Sequence, residues 1–271
     1  MKVKKLISFI IMAVIFMSTI SLSGCGFHSE NQLKQTLENA LEAKYDEEFV
    51  CLDVWGNGGS SYWGVCAPEK NHNIKFKSLF LTGGKITYEE YYAACVAEQI
   101  EEDIQKELEN VFNDFYLHSY MTVPLKSREV DDIYAENVRN ESFDIDEYVS
   151  YVKEKREGRT SISLIILVNS EKPNMLSFEE EYQTMSDFCK NIKDHDINPR
   201  VYLKFMPGEK YSECIRYLKT CASTNSTFDD MVRDYLVKVS DISLDISFEF
   251  EGNTPITITQ EEYIKQRKEV N

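Results

Sequence analysis

From Leu33 onward, apolar residues recur every three to four positions or every second position, and each spacing predicts an element. Leu33, Leu37, Ala40, Leu41 and Tyr45 form one helical face, with Ser29 and Gln32 spaced as a capping box in front of it. Glu48 to Trp55 and Ser60 to Ala67 flank Gly56-Asn57-Gly58-Gly59 and read as a hairpin, because those turn residues tolerate positive φ. Two registers are open, one turning on Asn57-Gly58 and one on Gly58-Gly59. A third strand spans Ile74 to Leu81. Thr87 and Glu90 then predict a capping box for a long helix carrying Tyr88, Tyr92, Cys95, Val96, Ile100, Ile104, Leu108, Val111 and Phe115 inward. Its charged face, Glu98, Glu101, Glu102, Asp103 and Lys106, reads as solvated. Tyr116 to Val123 is predicted to return beside the hairpin.

Beyond a polar stretch at 125–143, the pattern resumes. A helix is expected from about Asp144 to Glu157. Ser161 to Val168 is almost continuously apolar, which suits a central strand covered on both faces. Ser177 and Glu180 cap a helix, Arg200 to Met206 alternates as a strand, and helices follow from Pro207-Gly208 and from Thr227. Asp241 to Glu251 alternates strictly, with Ile242, Leu244, Ile246, Phe248 and Phe250 on one face, and predicts a half-buried antiparallel or edge strand. Thr259 and Glu262 cap a last helix. The sum is α+β: an antiparallel hairpin-containing sheet and a mixed sheet, each with helices on one face. The expected divisions are an N-terminal domain at 32–125 and a C-terminal domain at 143–271.

The first residues obey a different pattern. Lys2, Lys4 and Lys5 precede an apolar run, Leu6 to Ile20, and the small residues that follow end at Leu22-Ser23-Gly24-Cys25. Charge, apolar run and small residues are the parts of a secretory signal. The run is diluted by Ser18, Thr19, Ser21 and Ser23, and is short for a spanning helix. The ending resembles the lipobox of bacterial lipoproteins. The resemblance implies removal of residues 1–24, a diacylglyceryl group on the Cys25 sulfur, a spacer to residue 31 and attachment to the outer face of the cell membrane. Each buried methylene contributes only about 0.8 kcal/mol, so stable anchoring takes more than one acyl chain.

Charge narrows the partners. The formal net charge is −16, and the leader holds three lysines and no acid, so the part beyond it is more acidic still. Nucleic acid is excluded as a partner, because phosphates need lysine and arginine opposite them. A cationic or protein partner in the envelope is permitted, as is a plain solvated surface. With 16 Tyr and 15 Phe the chain has the aromatics of a globular protein.

No motif carries chemistry. Besides Cys25 there are Cys51, Cys66, Cys95, Cys189, Cys214 and Cys221. The last four sit on inward stripes and read as core, where a free cysteine behaves as a small apolar residue. Cys51 and Cys66 are candidate disulfide partners, because the Gly58-Gly59 register sets them opposite each other, at a hydrogen-bonded site about 5.5 Å apart. His28, His72, His118 and His195 are scattered, and predict no metal site or nucleophile pair. Asp194-His195-Asp196-Ile197-Asn198 opens like an EF-hand loop but has Pro199 and Phe205 where glycine and glutamate are needed, so it reads as a polar turn. Ser150 and Lys153 fit S-x-x-K without its companion motifs and read as a helix surface. No catalytic residue, metal ligand or cofactor is therefore assigned. The expected function is a non-enzymatic binding or accessory protein of the cell envelope. The alternatives are an envelope hydrolase using scattered acids and an immunity lipoprotein against cationic peptides.

Overall fold

In the computed structural model, residues 28–56, 59–122, 144–156, 160–172, 174–224, 244–251 and 254–270 are described. The leader, Cys25, the 125–143 stretch and the helix expected from Thr227 lie outside them. Side chains of 219–257 are likewise outside.

Ser29 starts helix α1 (Glu30–Tyr45) through the predicted capping box: its hydroxyl accepts from Gln32 N and the Gln32 side chain accepts from Ser29 N. This satisfies two of the four amides that a helix start leaves without partners. Leu33, Leu37 and Leu41 are the buried stripe. They cover a four-stranded antiparallel sheet in the order β1 (Phe49–Trp55), β2 (Ser61–Pro68), β3 (Phe76–Leu81), β4 (Ile86–Glu89). Gly64 of β2 lies directly under Leu37. A Cβ there would overlap Leu37 Cδ2, so the glycine sets how closely helix and sheet approach.

The hairpin follows neither predicted register near its turn, where Trp55 pairs with Trp63. A bulge at Leu52 then slips the ladder by one residue, and Cys51 faces Cys66 after all. Cys51 N bonds Glu38 Oε1 of α1 at 2.8 Å, while three residues back along the ladder Glu69 N bonds Glu48 O. The cysteines therefore form a non-hydrogen-bonded pair, correcting the expected hydrogen-bonded site. In such pairs Cα atoms stand about 4.5 Å apart.

Residues 86–89 are a strand and not the first turn of a helix. Thr87 Oγ1 donates to Leu79 O, and Glu90 makes no side-chain cap. Glu89 is held extended and buried by Lys44 Nζ at 3.2 Å, Tyr45 OH and Tyr91 N. Helix α2 begins only at Tyr91 (Tyr91–Leu108). It belongs to both cores. Tyr91 and Ala94 pack toward the first sheet, and Tyr92, Ala93, Val96, Ala97, Ile100 and Ile104 are buried against the second. Tyr45 joins the two cores through Tyr91 and Tyr92, with ring centroids 4.7 and 5.4 Å away.

Strand β5 (Phe115–Thr122) does not return to the hairpin. It pairs antiparallel with β6 (Ser161–Asn169), and β6 pairs parallel with β7 (Asn198–Met206). Strands β8 (Leu244–Glu251) and β9 (Thr254–Thr257) extend this second sheet antiparallel, in the order β5-β6-β7-β8-β9. The sheet boundary thus falls between α2 and β5, well before the 125–143 stretch.

Alternation along β6 explains its continuous apolarity. Ile162, Leu164, Ile166 and Val168 join the large core with α2, with α3 (Ile145–Arg156) and with α4 (Phe178–Asp194). Ile165 and Leu167 face the other way, into a small core with Tyr211, Cys214 and Leu218 of α5 (Gly208–Thr224). The C-terminal helix α6 (Gln260–Val270) returns to the large core through Tyr263. The molecule is α+β with an antiparallel and a mixed sheet, and α5 adds cover on the second face of the latter.

Candidate functional site

The sequence-predicted residues are placed as follows. Cys51 and Cys66 are buried free thiols, 4% and 0% exposed. Cys51 Sγ donates to Asp53 O at 3.4 Å, and burial, with Cys51 alongside, pushes the Cys66 thiol well up. Cys95, Cys189 and Cys214 are free thiols too, the latter two buried in helix–sheet packing. Burial lifts the thiols of Cys95 and Cys189 to about 12. A thiolate is the reactive form, so Cys66, Cys95 and Cys189 are not poised as nucleophiles. His195 and Asp196 form the polar turn between α4 and β7. His195 Nδ1 lies 2.7 Å from Asp146 Oδ1, and Lys153 pairs with Asp196, fastening α3 to that turn. Among the described residues no cluster of histidine, cysteine and carboxylates could hold a metal ion.

What the structure brings together was not assigned from the sequence. Where the two sheets meet, a half-open cleft of about 310 Å³ lies between α2, the strand edge at β3 and strand β5. Its volume is at the small end of small-molecule sites. The floor is Ala93, Ala94 and Ala97 of α2. These short side chains leave the gap that the tyrosines, valine and isoleucines elsewhere on the helix would fill. Asn73, Lys75 and Lys77 come from β3 and the residues leading into it. Asn73 sits in the turn before the strand, where Lys75 N bonds Asn73 O at 2.9 Å, and that turn brings it to the cleft beside the two lysines. Tyr116, His118 and Tyr120 come from β5, with the His118 and Tyr120 rings stacked at 6.2 Å.

The acidic lining belongs to α2. Glu90, Glu98 and Glu101 face the cleft, two of them from the helix face that the sequence pattern marks as solvated. Glu101 Oε2 accepts from Ser119 N at 2.7 Å, and Ser119 Oγ donates to Ala97 O at 2.9 Å. These two bonds tie the β5 edge to the helix. Glu98 is half-buried. Loss of water and the neighbouring Glu101 charge push its carboxyl up, against the opposing pull of a hydrogen bond from Asn73 and the charge of His118. Lys75 stands at the mouth, and partial burial lowers its ammonium.

Comparison with known proteins adds fold information. No family model matches the chain, and no curated protein does. A solved structure does. The fold resembles that of a DUF5037 family protein from Ruminococcus gnavus. That crystal structure superposes with a TM-score of 0.63 over 87% of this chain and 99% of its own, at 13% sequence identity. At that identity the likeness speaks for shared architecture alone.

Among the residues lining the cleft, one signal stood in the sequence. The alanines at 93, 94 and 97 interrupt a stripe of large side chains on one helix. The lysines and His118 carried none, because their convergence depends on which strands pair.

Proposed function

We propose that this is a non-enzymatic binding protein, tethered through lipid on Cys25 to the extracytoplasmic face of the cell membrane, which holds a small ligand in the cleft between α2, β3 and β5. The observation that carries the binding role is the cleft itself: a preformed concavity with an alanine floor and convergent charged and aromatic groups. The lipobox-like end, Leu22-Ser23-Gly24-Cys25, motivates the tether.

The hydrolase alternative fits the cleft less well. Paired-carboxylate hydrolysis places acid and base on either side of the scissile bond. Glu98 and Glu101 stand three residues apart on one helix, so they approach a ligand from the same side. Glu101 is also committed to Ser119 N. The arrangement holds and orients; it does not flank.

Two measurements test the proposal. Mass spectrometry of the N-terminal peptide from native membranes is expected to give a diacylglyceryl-modified Cys25 with residues 1–24 removed. Ligand titration is expected to perturb the tyrosines and His118 of β5. An intact leader, or a titration that leaves β5 unmoved, contradicts it.

A further inference from the structure

The first sheet has a second face, turned away from α1. Leu37 lies over Gly64, so Val54, Gly64 and Ser78, which pair across β1, β2 and β3, face the helix. Side chains alternate along a strand. Trp55, Trp63, Leu79 and Tyr88, each paired with the next across the four strands, therefore form a row on the opposite face. Leu81 extends the row along β3. All five are half-buried, and none joins a core among the described residues. The Trp55 and Trp63 rings stack with centroids 6.4 Å apart, and Trp63 meets Tyr88 at 5.8 Å. Both tryptophans of the chain thus stand in one half-exposed apolar row, the mark of a contact surface.

Two further observations say what meets it. The first is where the anchor lies. Helix α1 runs antiparallel to β1: Glu38 accepts from Cys51 N, Lys34 Nζ donates to Leu52 O at 3.0 Å, and Thr36 lies beside Gly84 of the β3–β4 turn. The start of α1 is therefore at the same end of the sheet as Trp55, the last residue of β1. Gly26 to Ser29 separate Cys25 from Glu30. At no more than about 3.6 Å per residue, Cys25 stays within about 18 Å of that helix start. The second is charge. The chain carries 46 acidic residues, yet between Asp53 and Glu89 stands Glu69 alone, with Lys70, Lys75, Lys77 and Lys85. Glu69 follows β2 at the end away from the hairpin turn, and Lys85 is exposed at the near end. Asp53, which shares the tryptophan face, lies in the field of Lys34. An anionic lipid surface attracts lysines, and this end of an acidic molecule is nearly free of the carboxylates it would repel.

Resting on the Cys25 tether proposed above, we infer that the tryptophan face of the first sheet docks on the bilayer that holds the anchor, with Trp55 and Trp63 seated at the boundary of headgroups and acyl chains. Indole rings favour that boundary, because their apolar body and polar N–H suit its two sides. The tether then sets which way the molecule stands as well as where.

The test uses the lipidated full chain, purified from native membranes and reconstituted into vesicles of phosphatidylcholine and phosphatidylglycerol, with and without bromine on the acyl chains. Indole emission reports this face alone, since the chain's two tryptophans both lie in it. Seated about 5–10 Å into the boundary, both rings come within reach of the bromines, and emission is expected to fall about twofold. Trp55→Phe leaves Trp63 as the sole emitter, and its emission should fall likewise; an unquenched Trp63 overturns docking by the face. Protein that floats with the vesicles and emits undiminished leaves the tether standing and overturns the docking. Protein that fails to float takes down both. Emission that ignores bromine and shifts with soluble cell-wall saccharides gives the face to a glycan and equally overturns the docking.

Discussion

Glu181 and Arg267, 86 residues apart in sequence, form an ion pair almost wholly removed from water, with Arg267 Nε 2.8 Å from Glu181 Oε1. Tyr263 OH and Asn174 Nδ2 also donate to this carboxylate, and the guanidinium lies 3.8 Å from the Phe205 ring centroid. The pair ties α6 to α4 and closes the large core. Arg267 Nη1 is buried with no hydrogen-bond partner, so the guanidinium is incompletely satisfied. Removing one member leaves the other charge stranded, which typically costs about 3–5 kcal/mol. Arg267→Met is expected to lose that much in urea unfolding, and the double variant Arg267→Met/Glu181→Gln to recover a large part. No recovery in the double variant would mean that packing of α6, and not the stranded charge, sets the cost.

Cys51 and Cys66 give the second prediction. The two residues face each other across a non-hydrogen-bonded strand pair, a position whose typical Cα separation lies within disulfide reach. In the extracytoplasmic setting proposed here, both thiols are expected to give up their protons and two electrons to an exported disulfide-bearing oxidoreductase during folding. Closing a loop of this length stabilises by about 3 kcal/mol. Non-reducing peptide mapping of exported material should find the 51–66 linkage. Finding both thiols fully alkylated without reductant would contradict it.

Much of the architecture was legible, and its failures have physical causes. Strand β6 announces itself because burial of both its faces makes one segment continuously apolar, and β8 because its own residues alternate in the sequence. The helix starts at Ser29, Ser177 and Thr259 are visible because a capping box is local. The same motif misleads at Thr87, because nearby long-range contacts outweigh it: Lys44 and Tyr45 hold Glu89 in a strand. The partner of β5 is not legible in the sequence, because pairing is decided by which core Leu117 and Met121 enter, and their own spacing is silent on that. The cleft was illegible for the same reason. Lys77, Glu98 and His118 belong to three elements and meet only when both sheets are in place.

Glu98 makes a pH prediction. Its carboxyl is raised above 4.5, first by burial and then by Glu101, with Glu102 adding to the shift and Asn73 and His118 opposing it. A raised folded value means that the group favours the fold while protonated, and that this contribution is lost as pH rises through it. At neutral pH the ionised Glu98 is therefore a burden. Glu98→Gln is expected to raise the melting temperature at pH 7 and to lose that advantage below pH 4.5. A variant less stable at pH 7 than the parent would reverse the assigned sign.

Ser177 supplies a local control. Its hydroxyl accepts from Glu180 N at 3.3 Å, and Glu180 Oε2 accepts from Ser177 N at 3.0 Å. Ser177→Ala should cost about 1 kcal/mol in equilibrium unfolding, as loss of an N-cap does. A neutral result would show that the helix start is held by packing alone.

The claim that the cleft is a ligand site is tested most directly by a crystal structure of the protein purified from its own membranes. The account predicts density for a small molecule between Lys77 of β3 and Glu98 of α2, over Ala94. A ligand bound elsewhere, or a cleft closed by the chain's own side chains, would contradict it.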